Sequence, residues 1–555
     1  MAFFRPSKWA LEPEDTTFAK NGWSNKDMDP VPLRLRTWTT MNYISYWLSD
    51  ATNIAVWELA SSMLAVGLSW RQALPCISAG YGIISVVMVL NGTTGARLHI
   101  AFPVLNRSSF GFWFSYFTVF SRVLLSMFWF GIQTYNGSLC VYQMLKAIWP
   151  SIAHLPNHLS DTANITSSGL LCYLLYWLIQ LPFMLLTPHK VRWLFMAKAW
   201  IVPITWLAMV IWCFVRVPAS EGLFIQHSIL PQNTLSWSWL SAMNSALGIY
   251  SSLSVNIPDF TRYAKDEKAQ FVQPLIIPIA FTLCSFAGIA VTSAGIQLYG
   301  EVLWNPLNLI NRWDNRAAAF FASFSFLLTT IGTNISANSL GAGNDMTVLL
   351  PRYINIRRGQ VICAIIGGWA LCPWEILASA AGFLNFMNGY TVFLGPFAGV
   401  MITDFWLVHR GRVDVPAMYD PHGRYRYVGG FNWRAVLAML VTVLPTLPGL
   451  ANSINPAIKV GYATRLFDIA WMYGFVVSCV VYYCASVWFP AHDTFVDKLI
   501  SADDDVSTLD AGEKQSDSDS TQLRSSGLPP RRKKYKNAAD VDVVVTMAEH
   551  PVEPA

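Results

Sequence analysis

The stretch Ser49-Asp50-Ala51-Thr52-Asn53-Ile54-Ala55-Val56-Trp57-Glu58 decides the fold. It lies inside the run 41–68, which is otherwise apolar and long enough to cross a bilayer core of about 30 Å, a task for roughly 20 residues of helix. Ser, Asp, Thr, Asn and Glu are costly in hydrocarbon, so their concentration here marks a surface turned to a bundle interior or a wet cavity. Helix continuity is doubtful at that point. The run 237–262 repeats the pattern, with Ser251, Ser252, Ser254 and Asn256 followed by Pro258-Asp259. The proline removes a backbone donor and disfavours helix at Asn256-Ile257. Two interrupted helices five spans apart are the pattern of an inverted-repeat transporter with its site at the bilayer midplane. Ordinary kinks would leave the same trace.

Outward from these runs, the composition agrees. The 555 residues are 54% hydrophobic and only 13% charged, about half the charged share of a soluble protein. With 24 Trp, 21 Tyr and 33 Phe, and a mean hydropathy of +0.37 that averages over two polar tails, the middle of the chain must face lipid. A cytosolic enzyme, a disordered chain and a disulfide-stapled scaffold are excluded; the 9 Cys are scattered without a CxxC pair and read as small buried hydrophobes. About twelve apolar runs reach membrane length: 41–68, 72–92, 112–147, 168–188, 191–215, 237–262, 273–298, 317–345, 360–378, 379–408, 433–450 and 466–490. The chain thus divides into an N-terminal tail or lid (1–40), an all-α polytopic membrane domain (41–490) and a C-terminal tail (491–555). No cleavable signal is expected, because 1–40 is polar with both charge signs.

Basic residues orient the bundle. One set of loops and adjoining helix ends holds Arg97, Arg107, Lys190, Arg192, Lys198, Arg262, Lys265, Lys268, Arg352, Arg357, Arg358, Arg410, Arg412, Arg424, Arg426 and Arg434. The other holds chiefly Arg71, Lys146, Arg216, Arg312, Arg316, Lys459 and Arg465. The positive-inside rule then places both tails in the cytoplasm. Asn164-Ile165-Thr166 becomes a glycosylation sequon in an outside loop. The net charge of +5 is spread over loops and tails, so no nucleic-acid partner is expected. Past about Ser501 the composition suits a solvated tail, with ubiquitin and endocytic machinery as candidate partners at residues such as Lys514. The segment Asn25-Lys26-Asp27-Met28-Asp29-Pro30-Val31-Pro32 is rich in turn formers, as a docking lid would be.

Further polar groups enter the membrane in the third and eighth runs. Trp129 and Gln133 are four residues apart and share a helix face. An indole offers a stacking surface and a primary amide offers a donor and an acceptor, which suits a planar heterocycle; plain packing would also place a Trp there. The eighth run carries Thr329, Thr330, Gly332, Thr333, Asn334, Ser336, Asn338 and Ser339. Asn334 and Asn338 share a face, for a ligand or for bonds between helices. No phosphate-binding loop, HExxH or GxSxG occurs; His154 and His158 lie in a proline-containing loop. Neither enzyme machinery nor the repeated pore loops and charge rings of a channel are visible.

On these residues the chain resembles the nucleobase/cation symporter family, in particular its fungal Fur-type branch of uracil, allantoin and uridine permeases. The marks are Asn25-Lys26-Asp27-Met28-Asp29-Pro30, Arg36-Thr37-Trp38, the Trp129 to Gln133 segment, Asn256-Ile257-Pro258-Asp259-Phe260, Gly332-Thr333-Asn334-Ile335-Ser336-Ala337-Asn338 and Tyr353-Ile354-Asn355-Ile356-Arg357-Arg358-Gly359. The resemblance implies two inverted five-helix repeats of LeuT-like fold plus two C-terminal helices, working by alternating access. It implies that Trp129 stacks on the substrate, that Gln133 and Asn338 hydrogen-bond it, and that Asn53 and Tyr250 complete the pocket. It places a cation site between the first and eighth spans, near Ser49, Thr52, Thr329 and Thr333. There the pair Gly332-Thr333 stands where sodium-coupled relatives carry two hydroxyls. A proton is therefore the expected coupling ion, with Asp50 the titrating carboxylate, and no cofactor or metal is expected. Phe383, Phe386 and Met387 resemble the gate that selects substrates sterically, Phe386 foremost, although helix packing would also use them. The implied function is a plasma-membrane proton symporter of uracil, with allantoin, uridine or uric acid as alternatives. A non-transporting nutrient receptor is the reading from another class.

Overall fold

The computed structural model describes residues 9–11, 23–185, 188–218, 220, 222–224 and 228–503. Lys514 and the rest of the C-terminal stretch past 503 lie outside the described residues.

The first span is split into α1 (Thr40–Ala51) and α2 (Ile54–Ala65). Then come α3 (Trp70–Leu98), the short α4 (Phe102–Phe110), α5 (Ser115–Ile148), α6 (Ser167–Leu185) and α7 (Pro188–Arg216), closing five passes. The next five are α8 (Gln232–Asn256) with its extension α9 (Pro258–Thr261), α10 (Gln273–Tyr299), the composite eighth pass, α14 (Ile356–Trp369), and α16 (Ala380–Thr403). A short α11 (Pro306–Ile310) leads into the eighth pass, which comprises α12 (Arg316–Thr333), a π-helical segment (Asn334–Ser339) and α13 (Leu340–Leu349). The one-turn α15 (Pro373–Ile376) precedes α16. The last passes are α17 (Trp433–Ile454) and, after α18 (Ala463–Phe467), α19 (Ala470–Trp488). Among the described residues nine helices are long and apolar enough to cross a membrane. The split first pass, the Ser- and Asn-rich α8 and the short α14 complete the expected twelve. An even number of passes puts both chain ends on one face, called the near face below.

α7 shows why the surface belongs in lipid. Trp200, Ile204, Leu207, Ile211 and Val215 recur every three or four residues and are all exposed, an apolar stripe with no protein against it. Inside, α2, α3, α8 and α10 pack as one group and α5, α6, α12, α13 and α14 as another. α16 leans on α8 and α2 and is braced from behind by α17 and α19.

The two expected interruptions come out differently. The first pass does break, at Thr52-Asn53. The sixth does not break at its serines: α8 runs on to Asn256, and only Ile257 separates it from α9, where Pro258 takes a first-turn position that needs no N–H. Ser251 Oγ donates to Gly248 O at 2.8 Å and Ser254 Oγ to Ser251 O at 2.7 Å, so these hydroxyls are satisfied by their own helix. The second interruption lies instead in the eighth pass, as the π-helical turn.

The N-terminal lid is docked on the near face. Asn25 Nδ2 donates to Pro351 O and Ile354 O at 3.2 and 3.0 Å, and Asp27 Oδ2 accepts from Ile356 N at 3.0 Å, tying the segment to the α13–α14 turn. Val31 N donates to His99 O at 2.9 Å, and Tyr419 Oη donates to Met28 O at 2.8 Å. The chain after 491, expected as free tail, stays packed as far as 503. Ile500 N donates to Val413 O at 3.0 Å, and Arg36 grips Asp503 through two 2.9 Å bonds.

Candidate functional site

Asn53 builds the break. Its backbone is extended (φ −104°, ψ 140°), and its Oδ1 accepts from Ala55 N at 3.0 Å, the cap that starts α2. The same oxygen accepts from Gln133 Nε2 of α5 at 3.0 Å. Gln133 is thereby fixed with its Oε1 buried and accepting no hydrogen bond among the described residues.

A cavity of about 50 Å³ lies against this pair, lined by Asp50, Asn53, Arg122, Ser126, Trp129, Gln133, Tyr250, Ser252, Asn256, Thr333 and Asn338, with Ala55, Ile249, Leu253 and Ala337 as its apolar wall. One water needs roughly 10–15 Å³ on such a measure. The space therefore suits a few waters or one small ring. Asn338 stands across from the break on the π-helical segment. Its Nδ2 donates to Asn334 Oδ1 at 2.9 Å, and Asn334 Nδ2 donates to Gln180 Oε1 at 3.0 Å and Thr134 Oγ1 at 3.2 Å. This amide chain roots Asn338 in α5 and α6. π-helical turns are frequent at functional sites, and here the turn carries both asparagines.

Tyr250 lines the cavity, but its hydroxyl is already engaged, donating to Asp50 Oδ2 at 2.8 Å. Its ring is held edge-on by Phe281 at 4.7 Å. Of the other residues expected near a cation, Ser49 stays out of the cavity wall and gives its carbonyl to Thr52 Oγ1 at 2.9 Å. The Thr52 carbonyl, freed by the helix break, accepts from Thr329 Oγ1. Thr333 Oγ1 is buried without a partner among the described residues.

Lys198 was counted from sequence with the charges of loops and helix ends. The structure places it inside the bundle, because α7 already begins at Pro188. It is 3% exposed and interacts electrostatically with Asp50. A Cβ built on Gly332 would lie 3.1 Å from Lys198 Cδ, so the missing side chain at 332 is what gives the lysine room.

None of the three expected gate residues lines the cavity itself. Phe386 and Phe383 meet the Trp129 ring edge-on at 5.9 and 6.3 Å, and Trp304 stacks on Phe383 at 6.1 Å, so aromatic rings close the side away from the chain ends. Met387 is fully buried at the contact of α16 with α8, where its carbonyl abuts Gly248. Its place is in packing. Arg122 is the one charged cavity residue that sequence reading missed; Ser126, Ile249 and Leu253 of the wall were missed too. The Arg122 guanidinium donates to Asp345 Oδ2 at 3.0 and 3.1 Å and to Ser252 Oγ at 2.6 Å. A lone Arg inside an apolar run was the signal, and its counter-ion lies 223 residues away in sequence.

A family model described as a permease for cytosine/purines, uracil, thiamine and allantoin matches residues 30–474. The chain belongs to this nucleobase/cation symporter family. The permease is 34% identical to the allantoin permease of Saccharomyces cerevisiae over 494 residues, covering 86% of this chain and 78% of that protein. It is 34% identical to the uracil permease of the same yeast over 493 residues, again 86% and 78%, and 35% identical to its uridine permease over 485 residues, 84% and 74%. Among solved structures it is similar to Mhp1, a nucleobase-cation-symport-1 transporter, in a closed conformation with bromovinylhydantoin bound (TM-score 0.65, 22% identity, 84% of this chain and 97% of that one). It is also similar to the inward-facing conformation of Mhp1 (TM-score 0.67, 21% identity, 85% and 96%). The permease therefore has the LeuT-like fold and is a multi-pass membrane transporter, not an enzyme.

Proposed function

We propose that the permease is a plasma-membrane symporter that couples proton entry to uptake of uracil or a related small planar heterocycle, with its near face in the cytoplasm. The observation that carries this reading is the oriented Gln133 amide. Its buried Oε1 is an acceptor awaiting an N–H, beside an indole whose face can stack on a ring. An imide edge supplies that N–H. Asn338 bonds the opposite edge, and Phe386 and Phe383 control access through Trp129.

Uracil leads because a single ring matches the size of the cavity and because the sequence around the first-pass break looks closest to uracil-type members. Allantoin and uric acid present the same N–H and C=O edges. Uridine adds a sugar that needs further space.

Asp50 is the coupling carboxylate, held by the Tyr250 hydroxyl and facing buried Lys198. With a lysine side chain occupying the space beside Gly332, a fixed cation stands where a mobile one would need ligands, which favours protons over sodium. Uptake of radiolabelled uracil, allantoin, uridine and urate in a host lacking its own permeases tests the substrate. Accumulation that ignores external pH, or that is unchanged by Asp50→Asn, would refute the coupling assignment.

A further inference from the structure

Glu58 has no part in the site described above, yet it is the more unusual carboxylate. It is 0% exposed in the apolar α2, eight residues beyond Asp50 and on the other side of the break. Both of its oxygens are used, and both partners are neutral. Asn136 Nδ2 of α5 donates to Oε2 at 2.9 Å, and Asn305 Nδ2 donates to Oε1 at 2.8 Å. Asn305 is fixed in that orientation, since its own Oδ1 caps α11 by accepting from Leu307 N at 2.9 Å. Glu58 thus ties together three elements: the half-helix α2, the long α5, and the loop that enters α11 next to Trp304.

Among the described residues no basic group compensates it. Tyr135 and Cys140 of α5 are the titratable groups that interact with it. α8, α10, α11 and α16, which pack on α2, contain no Asp, Glu, Lys, Arg or His, only the titratable Tyr250, Cys284, Tyr299 and Tyr390. The Arg316 guanidinium of α12 is committed to Ala147 O and Ile148 O. α3 brings Cys76 and Tyr81, with Arg71 and Arg97 at its ends, and Lys198 of α7 faces Asp50. Burying an ionised carboxylate costs several kcal/mol unless an opposite charge accompanies it. On protonation the carbonyl oxygen keeps its amide donor and only the donor on the oxygen that takes the proton is weakened, because charge-assisted hydrogen bonds are the stronger kind. The two amides also meet each other, Asn305 Nδ2 donating to Asn136 Oδ1 at 3.4 Å.

We propose that Glu58 is a proton-binding latch of the far face, taking one proton from the solution on that side as α2, α5 and the α11 loop close together, and returning it to that side when they part. The carboxylate becomes a carboxylic acid on closing, so closure of this side consumes one proton beyond any carried at Asp50. This inference rests on the transport reading proposed above and deepens it.

The test uses substrate exchange, in which labelled external substrate swaps with unlabelled internal substrate at fixed internal pH. It is run in an Asp50→Asn background so that pH dependence at Asp50 is removed. Exchange should still fall as external pH rises, by up to tenfold per pH unit at the alkaline end, and Glu58→Gln should flatten that fall while preserving the acid-side rate. An unchanged profile in the double variant, whatever its absolute rate, would overturn the latch and leave the transport reading standing. Failure of the parent protein to transport any of the four substrates would instead strike the transport reading.

Should Glu58→Gln not reach the membrane, infrared difference spectra of the purified parent and of Glu58→Asp decide the matter. A protonated-carboxyl band that shifts in Glu58→Asp supports the proposal, and a spectrum with no such change overturns it.

Discussion

Asn53 offers the sharpest test of how the site is assembled, because one oxygen does two tasks. Asn53→Ala removes the cap of α2, worth about 1 kcal/mol, and strands the buried Gln133 amide, worth about 1–3 kcal/mol. Melting of the solubilised protein should reflect both losses. Transport should reflect only the second. With Nε2 released, Gln133 no longer aims Oε1 into the cavity, and the loss of one substrate hydrogen bond raises the apparent KM by about 5- to 150-fold. Asn53→Ser separates the tasks: the shorter side chain keeps the cap but does not reach α5, so KM rises while most of the stability remains. If Asn53 acts on substrate only through Gln133, then Asn53→Ala combined with Gln133→Ala should be no worse in KM than Gln133→Ala alone, within about 0.5 kcal/mol or a factor of two. Losses that multiply would show that Asn53 touches the substrate directly, and the positioning role would fall.

Trp129→Ala should abolish high-affinity uptake at unchanged membrane abundance; normal uptake would remove Trp129 from the pocket. Gly137→Ala would set a Cβ 2.1 Å from the Tyr176 ring and should destabilise by about 1–3 kcal/mol, whereas Gly82→Ala, with nothing within 4 Å, should not; thermal melting compares them. His409 lies just past the end of α16 with its Nδ1 3.0 Å from Asp404 Oδ1. Burial disfavours its charged form, but the Asp404 carboxylate outweighs this and holds the imidazole above its ordinary 6.5. The stability from this pair is therefore complete below 6.5 and declines as pH rises through the elevated value, so the parent should lose melting temperature over that window while His409→Gln changes less.

Much of the site could be read from the sequence where a polar group stands alone in an apolar run. An interruption of the first pass was visible because Ser49, Asp50, Thr52, Asn53 and Glu58 are expensive in lipid; its exact place, at the Asn53 cap, was not. The Trp129–Gln133 face was visible because helical spacing is a local property. What failed was pairing at long range. Arg122 with Asp345, Glu58 with Asn305, and Asp50 with Lys198 join residues on different passes, and no local spacing announces them. Lys198 was misplaced for a related reason: a basic residue ten positions into a span looks like a helix end when the start of the helix is uncertain. The serines of α8 misled in the opposite direction. Hydroxyls can bond to carbonyls of their own helix, so a polar cluster of Ser need not interrupt it; what interrupts the first pass is Asn53, whose side-chain oxygen caps α2.

The break itself explains why the two carboxylates of the first pass differ. A continuous helix would have buried Asp50 and Glu58 along one rod about 12 Å apart, at 1.5 Å per residue, moving together. Interrupting it at Thr52-Asn53 lets each half pack against its own neighbours. Asp50 lies at the end of the near half, where it accepts from a hydroxyl and feels the charge of Lys198; Glu58 lies early in the far half and accepts from two amides. On the proposed coupling role, Lys198 offsets part of the cost of charge on the near carboxylate, so a proton exchanged there need not undo the packing. Among the described residues the far carboxylate has only neutral partners, which is why the latch proposal ties its charge to an open far side. If the two proposals hold, one interrupted helix carries two carboxylates whose protonation answers to different events, that of Asp50 to occupancy of the cavity beside it and that of Glu58 to closure of the far side.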